Sequence, residues 1–174
     1  SQPDIFMKKT LIPYTMLLGL LASTGLTGCL DKGLDDLPAF EDAKIINVFT
    51  EYRFKDATAQ NTDGSPKVNI VSLPVARTFK LRENTPGAAT DSVLLEVSIP
   101  QASGAFTAAE REKVSASQLV VYGNISTAAD IMPLSGAPKL GTPGDFSSPR
   151  QYQVTAADGK NSRVWTIKVT KIIK

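Results

Sequence analysis

The chain has 174 residues, with 19 lysines and arginines against 17 aspartates and glutamates, one cysteine and no histidine. A nearly neutral chain without a basic run offers no electrostatic footprint for nucleic acid. The absence of histidine removes the commonest general base, so Ser-His-Asp and Cys-His catalysis are excluded, together with zinc sites built on histidine and cysteine.

Residues 7–28 read as an export signal. Met7-Lys8-Lys9 is a short basic start, Leu11–Leu21 is an apolar run, and small residues follow from Ala22 to Gly25. The apolar run is shorter than the roughly 20 residues that a membrane-spanning helix needs. Ser1–Phe6 precede this segment and stand outside the fold reading. Leu26-Thr27-Gly28-Cys29 resembles the lipobox of bacterial lipoproteins. The resemblance implies cleavage before Cys29, a diacylglyceryl thioether on its sulfur, and a membrane anchor through the acyl chains. A buried thiol, the ordinary fate of a free cysteine, does not suit a residue set between Gly28 and the polar Asp31-Lys32-Gly33.

Residues 29–43 read as an acidic tether, broken by Gly33 and Pro38 and without sustained periodicity. From Lys44 the pattern alternates, the mark of half-buried strands. In Lys44–Lys55, Ile46, Val48, Thr50, Tyr52 and Phe54 are expected on one face, with Ile45 and Phe49 as apolar exceptions on the other. Asp56–Pro66 reads as a turn region, and Lys67–Leu73 and Val75–Leu81 as two strands. Pro74 between them marks an edge, a bulge or a crossing between sheets, because proline cannot donate to a ladder. Ser92–Ile99 is a strand with an apolar centre, and Thr107 and Glu110 have the spacing of a capping box opening a short helix through Lys113. Gln118–Ile125 is a strand, and Ser126–Pro149 is rich in proline and glycine and suggests no element. Gln151–Ala156 and Val164–Ile172 form a hairpin around Asp158-Gly159, with Trp165 as its core anchor. Short strands at this spacing predict an all-β domain over 44–174, an antiparallel β-sandwich with one short helix, although a small barrel would carry the same signals.

Asp145-Phe146-Ser147-x-Pro149, Tyr152-x-Val154-Thr155-x-x-Asp158-Gly159 and Trp165-Thr166-Ile167-Lys168-Val169 resemble the ending of immunoglobulin-like domains in Bacteroidetes surface lipoproteins. The likeness covers about residues 117–172. It implies an immunoglobulin-like sandwich anchored in the outer membrane, more at the cell surface than on the periplasmic face. It also implies a non-catalytic accessory role beside a Sus-type, TonB-dependent nutrient importer, which pairs an outer-membrane barrel with a lid lipoprotein. None of the motif residues looks catalytic, and a fold does not by itself imply a function.

An enzyme on this chain would have to run on carboxylates, as glycosidases do. Glu83, Glu96, Glu110 and Glu112 are the candidates, yet Glu96 lies on the alternate face of its strand and Glu110 suits a helix cap. Asp56, Asn61 and Asp63 carry hard oxygens for calcium, but their spacing fits no EF-hand loop and suits turns. No enzyme activity, metal or cofactor is therefore expected. A glycan or peptide ligand would need an exposed aromatic, and Tyr122 is the candidate, since Tyr52, Tyr152 and Trp165 fall on faces expected to be buried. The alternatives are a fimbrial or adhesive subunit and a small carboxylate-dependent glycan hydrolase.

Overall fold

A computed structural model describes residues 40–174. The signal segment 7–28, Cys29 and the tether as far as residue 39 lie outside the described residues.

The domain is an all-β sandwich of two sheets. β1 (Ile45–Gln60), β2 (Pro66–Leu73), β5 (Leu119–Ile125) and β7 (Pro143–Gly144) form one sheet in the order β2-β1-β5-β7. β3 (Val75–Lys80), β4 (Asp91–Ser98), β6 (Asp130–Leu134), β8 (Arg150–Thr155) and β9 (Ser162–Ile173) form the other, ordered β3-β4-β9-β8-β6. Pro74 stands where the chain crosses from the first sheet to the second. The one α-helix among the described residues, α1 (Ala108–Lys113), lies on the return crossing from β4 to β5. β6 and β7 lie in the stretch 126–149, where the sequence suggests no element. Val154, Trp165 and Ile167 meet Val48, Tyr52, Leu119 and Val121 in one hydrophobic core between the sheets.

One pair departs from the antiparallel expectation: β4 and β9 run parallel. A parallel pair needs a long crossover rather than a hairpin, and here the chain between them passes through the other sheet. Periodicity reports the period of a strand and not its direction, so this pairing has no local signal.

The alternation in β1 also departs from expectation at its start. Ile45 is buried and Ile46 is 59% exposed. Ile45 pairs with Ile125 but Asn47 pairs with Asn124, so Ile46 is the extra residue of a β-bulge. One inserted residue reverses the inward and outward sets on either side of it. Farther on, β1 continues through part of the expected turn region to Gln60, with a register irregularity after Lys55, and the turn itself is confined to 61–65. Ala43, at the end of the expected tether, is buried and accepts a 3.0 Å hydrogen bond from Trp165 Nε1.

Thr107 caps α1 as its spacing predicts, accepting the Glu110 N–H at 3.2 Å. The Glu110 carboxylate does not return to the cap. It accepts from Tyr52 Oη and from Lys113 Nζ, each at 2.8 Å. The Asp-Phe-Ser-x-Pro motif has a mechanical reading: Phe146 fills the core, while Asp145 accepts the Ser147 N–H and pairs with Arg150 at 2.7 Å. Tyr152 Oη donates to Pro138 O at 2.8 Å, tying β8 to the preceding loop as the tyrosine corner does in immunoglobulin domains.

Burial pushes the phenols of Tyr52 and Tyr152 up to about 12, and for Tyr52 the adjoining Glu110 carboxylate adds to the effect. A phenol whose value is raised by folding holds its proton more tightly in the native state. Its contribution is present below about pH 10, where the unfolded phenol titrates, and is lost as pH rises towards 12. Urea midpoints should therefore be level through neutral pH and fall from about pH 10 upward. The Tyr152→Phe variant should show a shallower alkaline fall.

Candidate binding face

Two consequences of the β1 geometry create an aromatic and cationic face on the first sheet. Phe49 and Tyr122 are direct cross-strand partners, and opposed side chains on an antiparallel pair stand close enough to touch. Their rings stack at a centroid distance of 5.4 Å and an interplanar angle of 26°. Tyr122 is 38% exposed, as a ligand-facing aromatic has to be.

The second consequence is an unpaired edge. β2 ends at Leu73 opposite Thr50, so among the described residues no strand flanks β1 on that side before Thr50. Side chains cover the edge instead. Asn47 Oδ1 accepts the Val48 N–H at 2.9 Å, and Arg77 Nε, reaching over from β3, donates to the Val48 carbonyl. The Arg77 guanidinium lies 5.1 Å from the centroid of the Phe49 ring, within cation–π range. Phe49 is thus flanked by Arg77 and Tyr122. The terminal nitrogens of Arg77 have no ion-pair partner among the described residues.

An open depression of about 700 Å³ adjoins this edge, lined by Ile46, Phe79, Leu81, Trp165, Lys44 and Lys80 among others, with no carboxylate in the lining. Phe79 is 39% exposed and meets Trp165 edge-on, at 6.4 Å and 80°. Lys44 pairs with Asp42 at 2.8 Å, whereas Lys80 has no ion-pair partner among the described residues. Beside Tyr122, a smaller apolar cleft of about 200 Å³ opens under Gly123, reaching Val48, Ile125, Leu140 and Ile167. Gly123 is required there, because a Cβ would collide with the Asn47 carbonyl oxygen at the bulge.

The carboxylates lie elsewhere. Glu83 is exposed and pairs with Arg163 at 3.1 Å. Glu96 is exposed on β4, Glu112 pairs with Lys174 at 2.8 Å, and Glu110 is engaged by Tyr52 and Lys113. The hydrogen bond from Lys113 is the main cause of the lowered pKa of Glu110, the opposite of what a general acid needs. Asp56 and Asp63 serve turns: Asp56 accepts from Thr58, Ala59 and Asn69, and Asp63 from Ser65. The backbone bond from Thr58 and the Asn69 amide hold Asp56 down to about 2. Among the described residues no group of three acidic, cysteine or histidine side chains could hold a metal.

Of the site residues expected from sequence, Tyr122 falls on this face and Cys29 lies outside the described residues. Phe49, Arg77, Phe79 and Lys80 were not indicated. The one available signal was Phe49 itself, an aromatic residue out of phase with the buried face of its strand.

Residues 45–168 match the family described as DUF5018-related. Among solved structures, the chain is similar to a protein of Bacteroides fragilis NCTC 9343 described as secreted. That likeness has 38% identity and a TM-score of 0.66, covering 79% of this chain and 100% of that one. A protein of Bacteroides thetaiotaomicron VPI-5482 described as a glycoside hydrolase matches at 22% identity and a TM-score of 0.34, over 79% of this chain and 27% of that one. No curated protein matches significantly.

Proposed function

This chain belongs to the DUF5018-related family, and we propose that it is a non-catalytic binding module displayed at the cell surface on a lipid anchor at Cys29. The observation that carries this reading is the face built by Tyr122, Phe49 and Arg77 beside an open depression, with the candidate carboxylates engaged or isolated elsewhere. Exposed aromatic rings grip ligands at small entropic cost, and an unpaired cation beside them adds direction. The likeness to a secreted Bacteroides protein supports export, in line with the signal segment and lipobox.

In this reading the module is an accessory subunit of a Sus-type importer, holding nutrient near the barrel and its lid lipoprotein. Affinity purification of the tagged protein from mild-detergent extracts of its native host should co-isolate such a pair. Repeated isolation of the protein alone, with its membrane anchoring intact, would refute the importer association.

A further inference from the structure

We infer that the ligand of this face is an acidic polysaccharide, with Arg77 pairing its anionic groups and Tyr122 and Phe79 packing against its sugar rings. The inference rests on the binding-module reading above and names the ligand class of the same site. Three features lead to it.

The cation is unpaired. Arg77 has no ion-pair partner among the described residues, the nearby carboxylates Asp42 and Glu51 are taken by Lys44 and Arg53, and no carboxylate lines the depression between β1 and β3. Arg77 is also held in place: its Nε is committed to the Val48 carbonyl and its plane rests by Phe49, leaving the terminal nitrogens for a ligand. A guanidinium fixed in this way offers paired donors to a carboxylate or sulfate at little entropic cost.

The aromatics are spread out. Tyr122 stands on one side of Phe49, and Phe79 edges the depression on the other side of Arg77. Rings on both sides of a fixed cation suit a repeating, extended ligand.

The β1 edge beside Phe49 is closed. Adding a strand to β1 would need main-chain hydrogen bonds, and at Val48 both groups are already taken by Asn47 and Arg77. A saccharide needs no such edge; β3, an edge strand of the second sheet, is the route left to an acidic peptide, which the polyglutamate probe tests.

Affinity electrophoresis and calorimetry of the purified protein against polygalacturonate, alginate, hyaluronan and heparin, with dextran and xylan as neutral probes and polyglutamate as the peptide probe, test this. Binding to at least one acidic polysaccharide is expected, with none to dextran, xylan or polyglutamate. Arg77→Gln, which keeps a donor for Val48, should weaken it about tenfold or more. Salt near 1 M should weaken it as well, since the Debye length there is about 3 Å. A thermal melt matching the parent would show that the variant folds. Equal binding of neutral probes, unaffected by Arg77→Gln, would overturn the acidic assignment while leaving a glycan-binding module. Binding of polyglutamate at similar strength would overturn it in favour of an acidic peptide. Binding of no polysaccharide would overturn it outright, and the co-isolation experiment would then decide the importer association separately.

Discussion

Trp165→Ala is expected to lower stability by about 3–5 kcal/mol, the range for emptying a buried aromatic position. Trp165 is 1% exposed on β9, the strand between β4 and β8. It faces Tyr152 across one pair and Asp91 across the other. Three losses coincide on truncation. The core loses its largest fully buried side chain. The Ala43 carbonyl loses its donor, and Phe79 loses the ring it meets edge-on. The vacated volume would also join the open depression that Trp165 lines, so it would fill with water and leave the surrounding apolar groups wet. The melting temperature should fall by about 10–20 °C, given a few degrees per kcal/mol for a domain of this size. Urea denaturation followed by far-UV circular dichroism checks this, because the variant lacks the only tryptophan. A loss under about 1 kcal/mol would contradict Trp165 as the anchor of the core.

Asp91→Ala is expected to cost about 2–3 kcal/mol. Asp91 is 2% exposed. Its Oδ1 accepts the Arg82 N–H at 2.7 Å, and its Oδ2 pairs with Arg163 at 3.1 Å. Removing the carboxylate leaves a backbone donor and a guanidinium without their partner. Arg163 is partly exposed and keeps Glu83, so part of its loss is offset by water and by that second carboxylate, and the figure sits below the full cost of breaking a buried pair. Asp91→Asn should be milder, about 1 kcal/mol, because an amide oxygen can still receive the Arg82 N–H. The sole tryptophan lies directly across from Asp91 on β9, so its fluorescence reports both unfolding curves. Equal stability of Asp91→Ala and the parent would show that the Arg82–Asn84 turn holds its position without this tie.

The strands were legible where burial is one-sided and the chain regular. Tyr152, Val154, Trp165 and Ile167 are buried as their alternation requires, and the Asp158-Gly159 turn follows from positive φ at Gly159 and from Asp158 accepting the Lys160 N–H. Thr107 heads its helix for an equally local reason. Asp91 lies between the expected strands Val75–Leu81 and Ser92–Ile99, and nothing near it in sequence says that Arg82 and Arg163 converge on it. The face around Tyr122 was half visible. An aromatic residue off the buried phase can be read from one strand, but Arg77 reaches Phe49 only because β2 stops short and β3 belongs to the other sheet.

The amino-acid sequence by itself determined seven of the strands, the all-β class, the hairpin around Asp158-Gly159 and the buried place of Trp165. These depend on side-chain periodicity and turn chemistry within a few neighbouring residues. Only the tertiary structure decided that β4 and β9 run parallel, that a bulge turns Ile46 outward, and that Arg77, Phe49 and Tyr122 form one face. Those features arise between strands far apart in the chain, where direction, register and the length of a neighbouring strand set the outcome, and no local pattern encodes them.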